Sequence, residues 1–284
     1  MARGAPAILE RIVAGKKREL AQRQEEEPLD ALRERVEALN RRPGEAGGQR
    51  SLRQRLLEGP PGLARAGHVQ IIAEVKRASP SRGVLADPYL CRCLPLTYAE
   101  NGAAAISIVT EARHFQGDIE ALEHARGALE QAFGDDRPAL LRKDFLFAPY
   151  QVWESRARGA DAVLLIVAIL SDARLRDLLG LARRLEMDCL VECHDESEVE
   201  RALAAGADIV GINNRDLRTF EVDTATTARL RPLIPPGIVV VGESGVCARE
   251  DVERMAALGV DAVLVGEALV TAPDPAAKLR ELLE

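Results

Sequence analysis

The sequence predicts a single (β/α)8 TIM barrel carrying an N-terminal helical extension. Three observations predict it. A glycine-led phrase recurs four times, eight apolar runs have strand length with amphipathic segments between them, and ionisable residues gather where those runs end. The phrase reads Gly102-Ala-Ala-Ala-Ile-Ser-Ile-Val, Gly159-Ala-Asp-Ala-Val-Leu-Leu-Ile, Gly206-Ala-Asp-Ile-Val-Gly-Ile-Asn and Gly259-Val-Asp-Ala-Val-Leu-Val-Gly, with starts 57, 47 and 53 residues apart. Such a glycine ends a helix in the left-handed conformation, and the run after it enters a strand. Strands reached from helices at this spacing imply βα units and a parallel sheet. An open doubly wound sheet is the alternative. No Gly-x-Gly-x-x-Gly follows the first strand, which weakens its dinucleotide-binding form, and eight strand–helix pairs suit closure.

In chain order, Ile8–Glu27 and Leu29–Asn40 read as helices and Arg42–Gly48 as a loop. Residues 1–60 offer too little apolar surface for a core of their own. They are expected to pack on a catalytic barrel formed by 61–284. The strands are Gln70–Val75, the run after Gly102, Pro138–Leu141, the run after Gly159, Asp188–Cys193, the run after Gly206, Ile238–Val241 and the run after Gly259. Asp118–Phe133, Ser171–Glu186, Glu196–Ala205 and Arg249–Leu258 are amphipathic helices between them. Arg77–Pro88 is a long connection rich in Ser, Pro and Gly, of the kind that forms lids or binding loops. Pro95 is expected to disturb the first barrel helix or mark its start.

Composition excludes several classes of function. A net charge of −7 offers no basic field to gather nucleic acid. The longest apolar run, Ala162–Leu170, is less than half of the ~20 residues that a spanning helix needs, so no membrane partner is expected. The charged start has no secretion-signal pattern, and five cysteines without small-scaffold spacing fit a reducing, cytoplasmic location. Cys189-x3-Cys193-His194 and Cys91-x-Cys93 lack zinc spacing, so no metal is expected and the thiols read as buried and inert. His114 and His124 read as surface or helix residues, and Trp153 as packing.

Barrel chemistry sits at the carboxyl ends of the strands. Glu74 and Lys76 end the first strand, Lys143 the third, Glu192 the fifth, Asn213 and Arg215 the sixth, and Glu243 and Ser244 the seventh. By the period-two rule, Ile72, Glu74 and Lys76 share a face, as do Leu141, Lys143 and Phe145. Leu190 and Glu192 share another, with Cys189, Val191 and Cys193 opposed. The apolar sets pack on helices and the charged sets line the mouth, where carboxylates and ammonium groups perturb one another's pKa values for acid–base work. Structural ion pairs holding the strand ends are the plainer alternative. Gly245 in the seventh loop, and Gly266 with Glu267 in the eighth, would let backbone N–H groups approach an anion, at the place where barrels often hold a phosphate.

These residues resemble one known family, the indole-3-glycerol-phosphate synthases. The resemblance rests on Ile72-Ala-Glu-Val-Lys-Arg-Ala-Ser-Pro-Ser-Arg-Gly83, Leu141-Arg-Lys-Asp-Phe145, Leu190-Val-Glu192, Gly211-Ile-Asn-Asn-Arg-Asp-Leu-Arg-Thr-Phe220, Glu243-Ser-Gly-Val246 and Leu264-Val-Gly-Glu-Ala-Leu269. It runs from about Ile8 to the C-terminus. It implies an anionic phosphosugar–anthranilate substrate, 1-(2-carboxyphenylamino)-1-deoxyribulose 5-phosphate, with no cofactor and no metal. It implies Lys143 as general acid, Glu192 as base, and Lys76 with its partner Glu74 binding an anionic group and joining the proton transfers. Ser79, Phe145, Asn213, Arg215, Glu243 and Ser244 would shape the substrate site, and backbone groups of Gly245, Gly266 and Glu267 would hold the phosphate. Cys193 and Cys91-x-Cys93-Leu-Pro95 depart from the family pattern away from these positions. A phosphoribosylanthranilate isomerase, the rival barrel enzyme, resembles a Cys and Asp pair at strand ends, which is absent here. A barrel that only binds would have an eroded acid–base set, whereas Glu74, Lys76, Lys143 and Glu192 are all present.

Overall fold

The computed structural model describes residues 8–40, 48–61, 68–80, 82–216, 219 and 221–284. Helices α1 (Ile8–Glu26), α2 (Leu29–Asn40) and α3 (Leu52–Glu58) precede strand β1 (Gln70–Val75). A short antiparallel hairpin, β2 (Ala78–Ser79) with β3 (Gly83–Val84), leads into α4 (Pro88–Glu100). Alternation then sets in: β4 (Ala105–Val109), α5 (Glu120–Phe133), β5 (Ala139–Lys143), α6 (Pro149–Ala157), β6 (Ala162–Ile166), α7 (Asp172–Arg184), β7 (Asp188–Cys193) and α8 (Glu196–Ala204). It continues with β8 (Ile209–Asn213), α9 (Ala225–Leu230), β9 (Val239–Glu243), α10 (Arg249–Ala257), β10 (Ala262–Val265), α11 (Glu267–Val270) and α12 (Pro275–Leu283). The eight long strands pair in parallel and close in the order β1-β10-β9-β8-β7-β6-β5-β4. The expected single barrel is what forms.

Strand alternation divides the core in two. Ile72, Leu141, Leu164, Leu190, Val241 and Leu264 fill the barrel interior. Their sequence neighbours Ile71, Leu140, Val163, Val191, Val240 and Val263 pack outward against helices. The four repeat glycines, 102, 159, 206 and 259, have φ of +94°, +89°, +85° and +76°, the left-handed turn that the phrase predicts. Cys189 and Cys193 lie in the outer layer, as alternation requires. Trp153 packs at the edge of that layer, and His124 is exposed on α5.

One expectation gains detail and one needs correction. The long Arg77–Pro88 connection, whose Ser79 and Pro80 line the cavity, has structure of its own. Arg77 accepts hydrogen bonds from the backbone N–H groups of Leu85 and Ala86, which folds the segment back on itself as the β2–β3 hairpin. Pro95 neither starts nor breaks the first barrel helix. Asp87 caps α4, Pro88 occupies its first turn and Pro95 lies inside. The helix bears the lost hydrogen bond because Leu94 and Tyr98 on either side are buried against the barrel. Residues 42–47 of the expected loop, and Ser81, Leu217, Arg218 and Phe220 of the family-like stretches, lie outside the described residues.

The chain before β1 meets the barrel at two levels. Leu52 and Leu56 of α3 are buried in the interior cluster, with Ala105, Ala139 and Val239 at the amino ends of the strands. At the opposite end, Lys16 of α1 forms a buried ion pair of 2.8 Å with Asp144, just beyond β5. Arg23 of α1 pairs with Glu154 of α6 at 2.8 Å. Among the described residues no helix is long and apolar enough to cross a membrane.

Candidate active site

Interior-facing residues at the last turn of each strand have only the mouth to enter, so alternation determines which side chains meet there. Glu74 and Glu192 face inward in this way, and Glu243 follows Val241 on the interior face of β9. Each of the three carboxylates is almost wholly buried. Lys143, at the end of β5, spans the mouth. Its Nζ donates to Glu192 Oε2 at 3.2 Å and to Glu243 Oε2 at 3.1 Å. Lys76, one residue past β1, donates to Glu74 Oε1 at 2.8 Å. The expected acid–base set therefore assembles as two clusters, Lys143 between two carboxylates and Lys76 on one, in a cavity of about 620 Å3. That volume suits a small-molecule site.

Charge is unequally shared within the first cluster. Burial opposes the ammonium of Lys143, but Glu243 and Glu192 outweigh it and raise its pKa. Burial likewise opposes ionisation of Glu192. Lys143, with His194 and Asn213 close by, overcomes it and holds Glu192 well below the usual carboxylate range. Glu243 goes the other way. Burial raises it, Lys143 lowers it only in part, and Glu192 raises it further. Its Oε1 has no hydrogen-bond partner among the described residues. Two carboxylates facing one ammonium in a dry mouth cannot both ionise freely. Ionisation therefore favours Glu192 over Glu243.

The remaining expected residues line or brace the cavity. Asn213 Oδ1 accepts from Ser244 Oγ at 2.9 Å and from the Arg215 backbone N–H at 3.0 Å, which ties the ends of β8 and β9 together. Ser244 takes a left-handed φ of +65° and Gly245 follows at +87°. Phe145 is buried with its ring centroid 6.4 Å from that of Phe115, forming an apolar wall. Ser79 and Arg215 also line the cavity. The Ser79 hydroxyl is buried without a partner among the described residues.

On the last loop, a Cβ on Gly266 would stand 2.3 Å from Glu74 Oε1 and 3.1 Å from Lys76 Nζ, so only glycine lets this loop close on that pair. The Glu267 side chain pairs with Arg82 of the β2–β3 turn at 3.3 Å. A carboxylate repels phosphate, so any anion contact by Glu267 falls to its backbone N–H.

Sequence reading missed three participants. Asp144 accepts from Lys16, Arg142 and Thr110, and its other oxygen accepts from the Phe145 N–H at 2.8 Å. These bonds fix the turn that carries Lys143 and Phe145. Glu111 also lines the cavity, and it accepts backbone N–H groups from Arg113, His114 and Phe115. His194 stands behind Glu192. Only Asp144 carried a local signal, a third ionisable residue beside Arg142 and Lys143. Among the described residues, no group of three or more His, Cys, Asp or Glu could hold a metal ion.

Comparison with known proteins agrees across the chain. The family described as indole-3-glycerol phosphate synthase matches residues 9–282. An indole-3-glycerol phosphate synthase of Dehalococcoides mccartyi (strain CBDB1) is 48% identical over 276 residues, covering 97% of this chain and all of that protein. One of Albidiferax ferrireducens is 44% identical, covering 97% of each. Among solved structures, a thiamine phosphate pyrophosphorylase from Pyrococcus furiosus superposes with a TM-score of 0.59 at 17% identity, covering 82% of this chain and 96% of that one. At that identity the likeness extends to the fold alone.

Proposed function

The chain belongs to the indole-3-glycerol phosphate synthase family, and from that premise we propose that its barrel mouth closes an indole ring on a phosphosugar–anthranilate. The enzyme is a carboxy-lyase of tryptophan biosynthesis. It converts 1-(2-carboxyphenylamino)-1-deoxyribulose 5-phosphate to indole-3-glycerol phosphate, carbon dioxide and water. One observation carries the assignment of roles: the Lys143 ammonium held 3.2 Å from Glu192 and 3.1 Å from Glu243.

The ring carbon bearing the carboxylate attacks the ketone, and the C=O electrons move to oxygen. Lys143 protonates that alkoxide, and a positioned ammonium at a developing charge is an efficient acid. Carbon dioxide then leaves, and its bonding pair restores the aromatic ring. No external electron sink is needed, which is why no cofactor or metal is invoked. Glu243, holding its proton, returns one to Lys143. Lys143 next protonates the departing hydroxyl, while Glu192 takes the ring proton whose loss forms the double bond. Glu192 passes that proton back to Lys143, and Glu243 draws one from solvent. One proton is consumed per turnover, as decarboxylation of a carboxylate requires.

Lys76, oriented by Glu74, holds an anionic group of the substrate. Ser79, Phe145, Asn213, Arg215 and Ser244 shape the site. Backbone N–H groups of Gly245, Gly266 and Glu267 receive the phosphate. Residues 1–60 act as part of the barrel of 61–284 and not as an independent domain. The enzyme works in the cytoplasm, without nucleic acid. Incubation with the substrate should give indole absorbance and one proton taken up per product in weak buffer. Absence of indole absorbance at micromolar enzyme would sink the proposal.

A further inference from the structure

Glu192 has a second cation behind it. His194, one residue past the end of β7, places Nε2 3.3 Å from Glu192 Oε1, the oxygen that Lys143 does not take. Its other ring nitrogen, Nδ1, lies 3.0 Å from Glu198 Oε2 on α8. The same Glu198 oxygen accepts the His194 backbone N–H at 2.8 Å, so Glu198 holds both the ring, at Nδ1, and the backbone that carries it. Glu198 is fixed in turn, its backbone N–H donating to the N-cap Asp195 at 2.9 Å. The Nε2 contact is an ion-pair distance without hydrogen-bond alignment, so it is charge that links His194 to Glu192, and a ring with a carboxylate against each nitrogen favours the imidazolium over either neutral tautomer.

We propose that His194 is a positioning residue that clamps the Glu192 carboxylate as a cation, so that Glu192 returns to its ionised form after each turnover. The proposal rests on Glu192 being the base. The groups facing Glu192 are Lys143 from β5, Glu243 from β9, Asn213 from β8 and His194 from its own strand end. Lys143 alone cannot guarantee the charge, because it is shared with Glu243 and gives up its proton during the reaction. His194 does not line the cavity, so it is free to remain protonated throughout. Burial opposes its charge, yet the carboxylates of Glu192 and Glu198 raise its pKa to about 10. Glu198 thereby acts on the base from α8, through the imidazole.

Three measurements together decide it. His194→Gln keeps a donor toward Glu192 but removes the charge. Wild-type kcat should hold as the pH falls toward 5. In the variant the acidic limb should rise by one pH unit or more and kcat at neutral pH should fall about tenfold, with KM little changed. A residue that only braces the start of α8 would lower the melting temperature and leave the limb where it was, and that result overturns the proposal. Glu192→Gln is assayed in parallel. If it keeps turnover, the base assignment falls and the proposal with it. If it is inactive while His194→Gln retains the wild-type limb, only the role of His194 fails. Should His194→Gln not fold, imidazole NMR on the wild-type protein decides. The chain has four histidines. One must remain protonated above pH 8 in the wild type and titrate at least one unit lower in Glu192→Gln. Four rings titrating near pH 6.5 would overturn the proposal.

Discussion

The proposed chemistry rests on single residues, and alternation along a strand made the placement of most of them legible in advance. Glu192 and Cys193 are neighbours with opposite surroundings, one at the mouth and one in the helix-facing layer. Their variants should have opposite phenotypes. Glu192→Gln keeps the volume and removes the base, so kcat should fall ~10²-fold or more with little change in melting temperature. Cys193→Ser places a hydroxyl in an apolar layer at a cost of ~1–3 kcal/mol, while turnover survives. If Cys193→Ser were inactive and as stable as wild type, the register of β7 would be wrong by one residue. Lys143→Met should lower kcat by ~10²–10⁴-fold in a chain whose circular dichroism is unchanged. A kcat within a few-fold of wild type would remove Lys143 from the acid role. What alternation could not reveal are partners brought from elsewhere. His194 lies beyond the strand, where the period no longer fixes direction. Lys16 has no local mark distinguishing it from Lys17. Gly211 was visible as a glycine inside a strand, the sign of a close approach, but not its cause: a Cβ there would stand 2.2 Å from Glu243 Oε1.

Elements were legible in proportion to their length and pattern. The strands and the long amphipathic helices carry a clear period, whereas α3, α9 and α11 have seven, six and four residues, too few for one to show. The least foreseeable contact joins α1 to the barrel, because an ion pair between residues 16 and 144 is a product of tertiary packing. Both its side chains are buried, Lys16 at 3% exposure and Asp144 at 0%. Burial opposes the charge on Asp144, and Lys16 and Arg142 overcome it, so its pKa is lowered. A lowered carboxylate contributes stability that is present above its unfolded pKa of ~3.9 and is lost as the pH falls through the folded value. Lys16→Met should therefore cost ~3 kcal/mol at neutral pH, the low end for breaking a buried pair because Arg142 remains. It should also move acid unfolding to higher pH, followed by circular dichroism. A variant with unchanged stability and an unchanged acid midpoint would show that α1 rests on the barrel without this bond. Activity should fall as well, since Asp144 fixes the turn holding Lys143 and Phe145.

At the scale of the whole molecule, closure brings nine catalytic and substrate-binding candidates from five separate strand ends, and Ser79 from the β2–β3 hairpin, around one cavity. The chain is acidic overall, at −7, yet the groups proposed to meet its anionic substrate are Lys76, Lys143 and the glycine loops after β9 and β10, all lining the cavity. An anion that binds only the closed barrel must stabilise it by mass action. At a concentration of 100 times Kd the gain is ~2.7 kcal/mol, and each kcal/mol raises the melting temperature of a domain of this size by ~2–4 °C. Indole-3-glycerol phosphate at that concentration should therefore raise the wild-type melting temperature by about 5–10 °C. Inorganic phosphate should give a smaller rise and compete with substrate. Gly266→Asp would point a carboxylate toward Glu74 and the proposed phosphate position, so KM should rise strongly and the product-induced shift should vanish. Phosphate also stabilises proteins through exclusion from their surface. That contribution is common to both chains, and the difference between wild type and variant isolates the site. An equal shift in Gly266→Asp, from product and phosphate alike, would place the phosphate away from the loop after β10. The role given to the backbone of Gly266 and Glu267 would then fail, while the acid–base cluster around Lys143, on other strands, would stand.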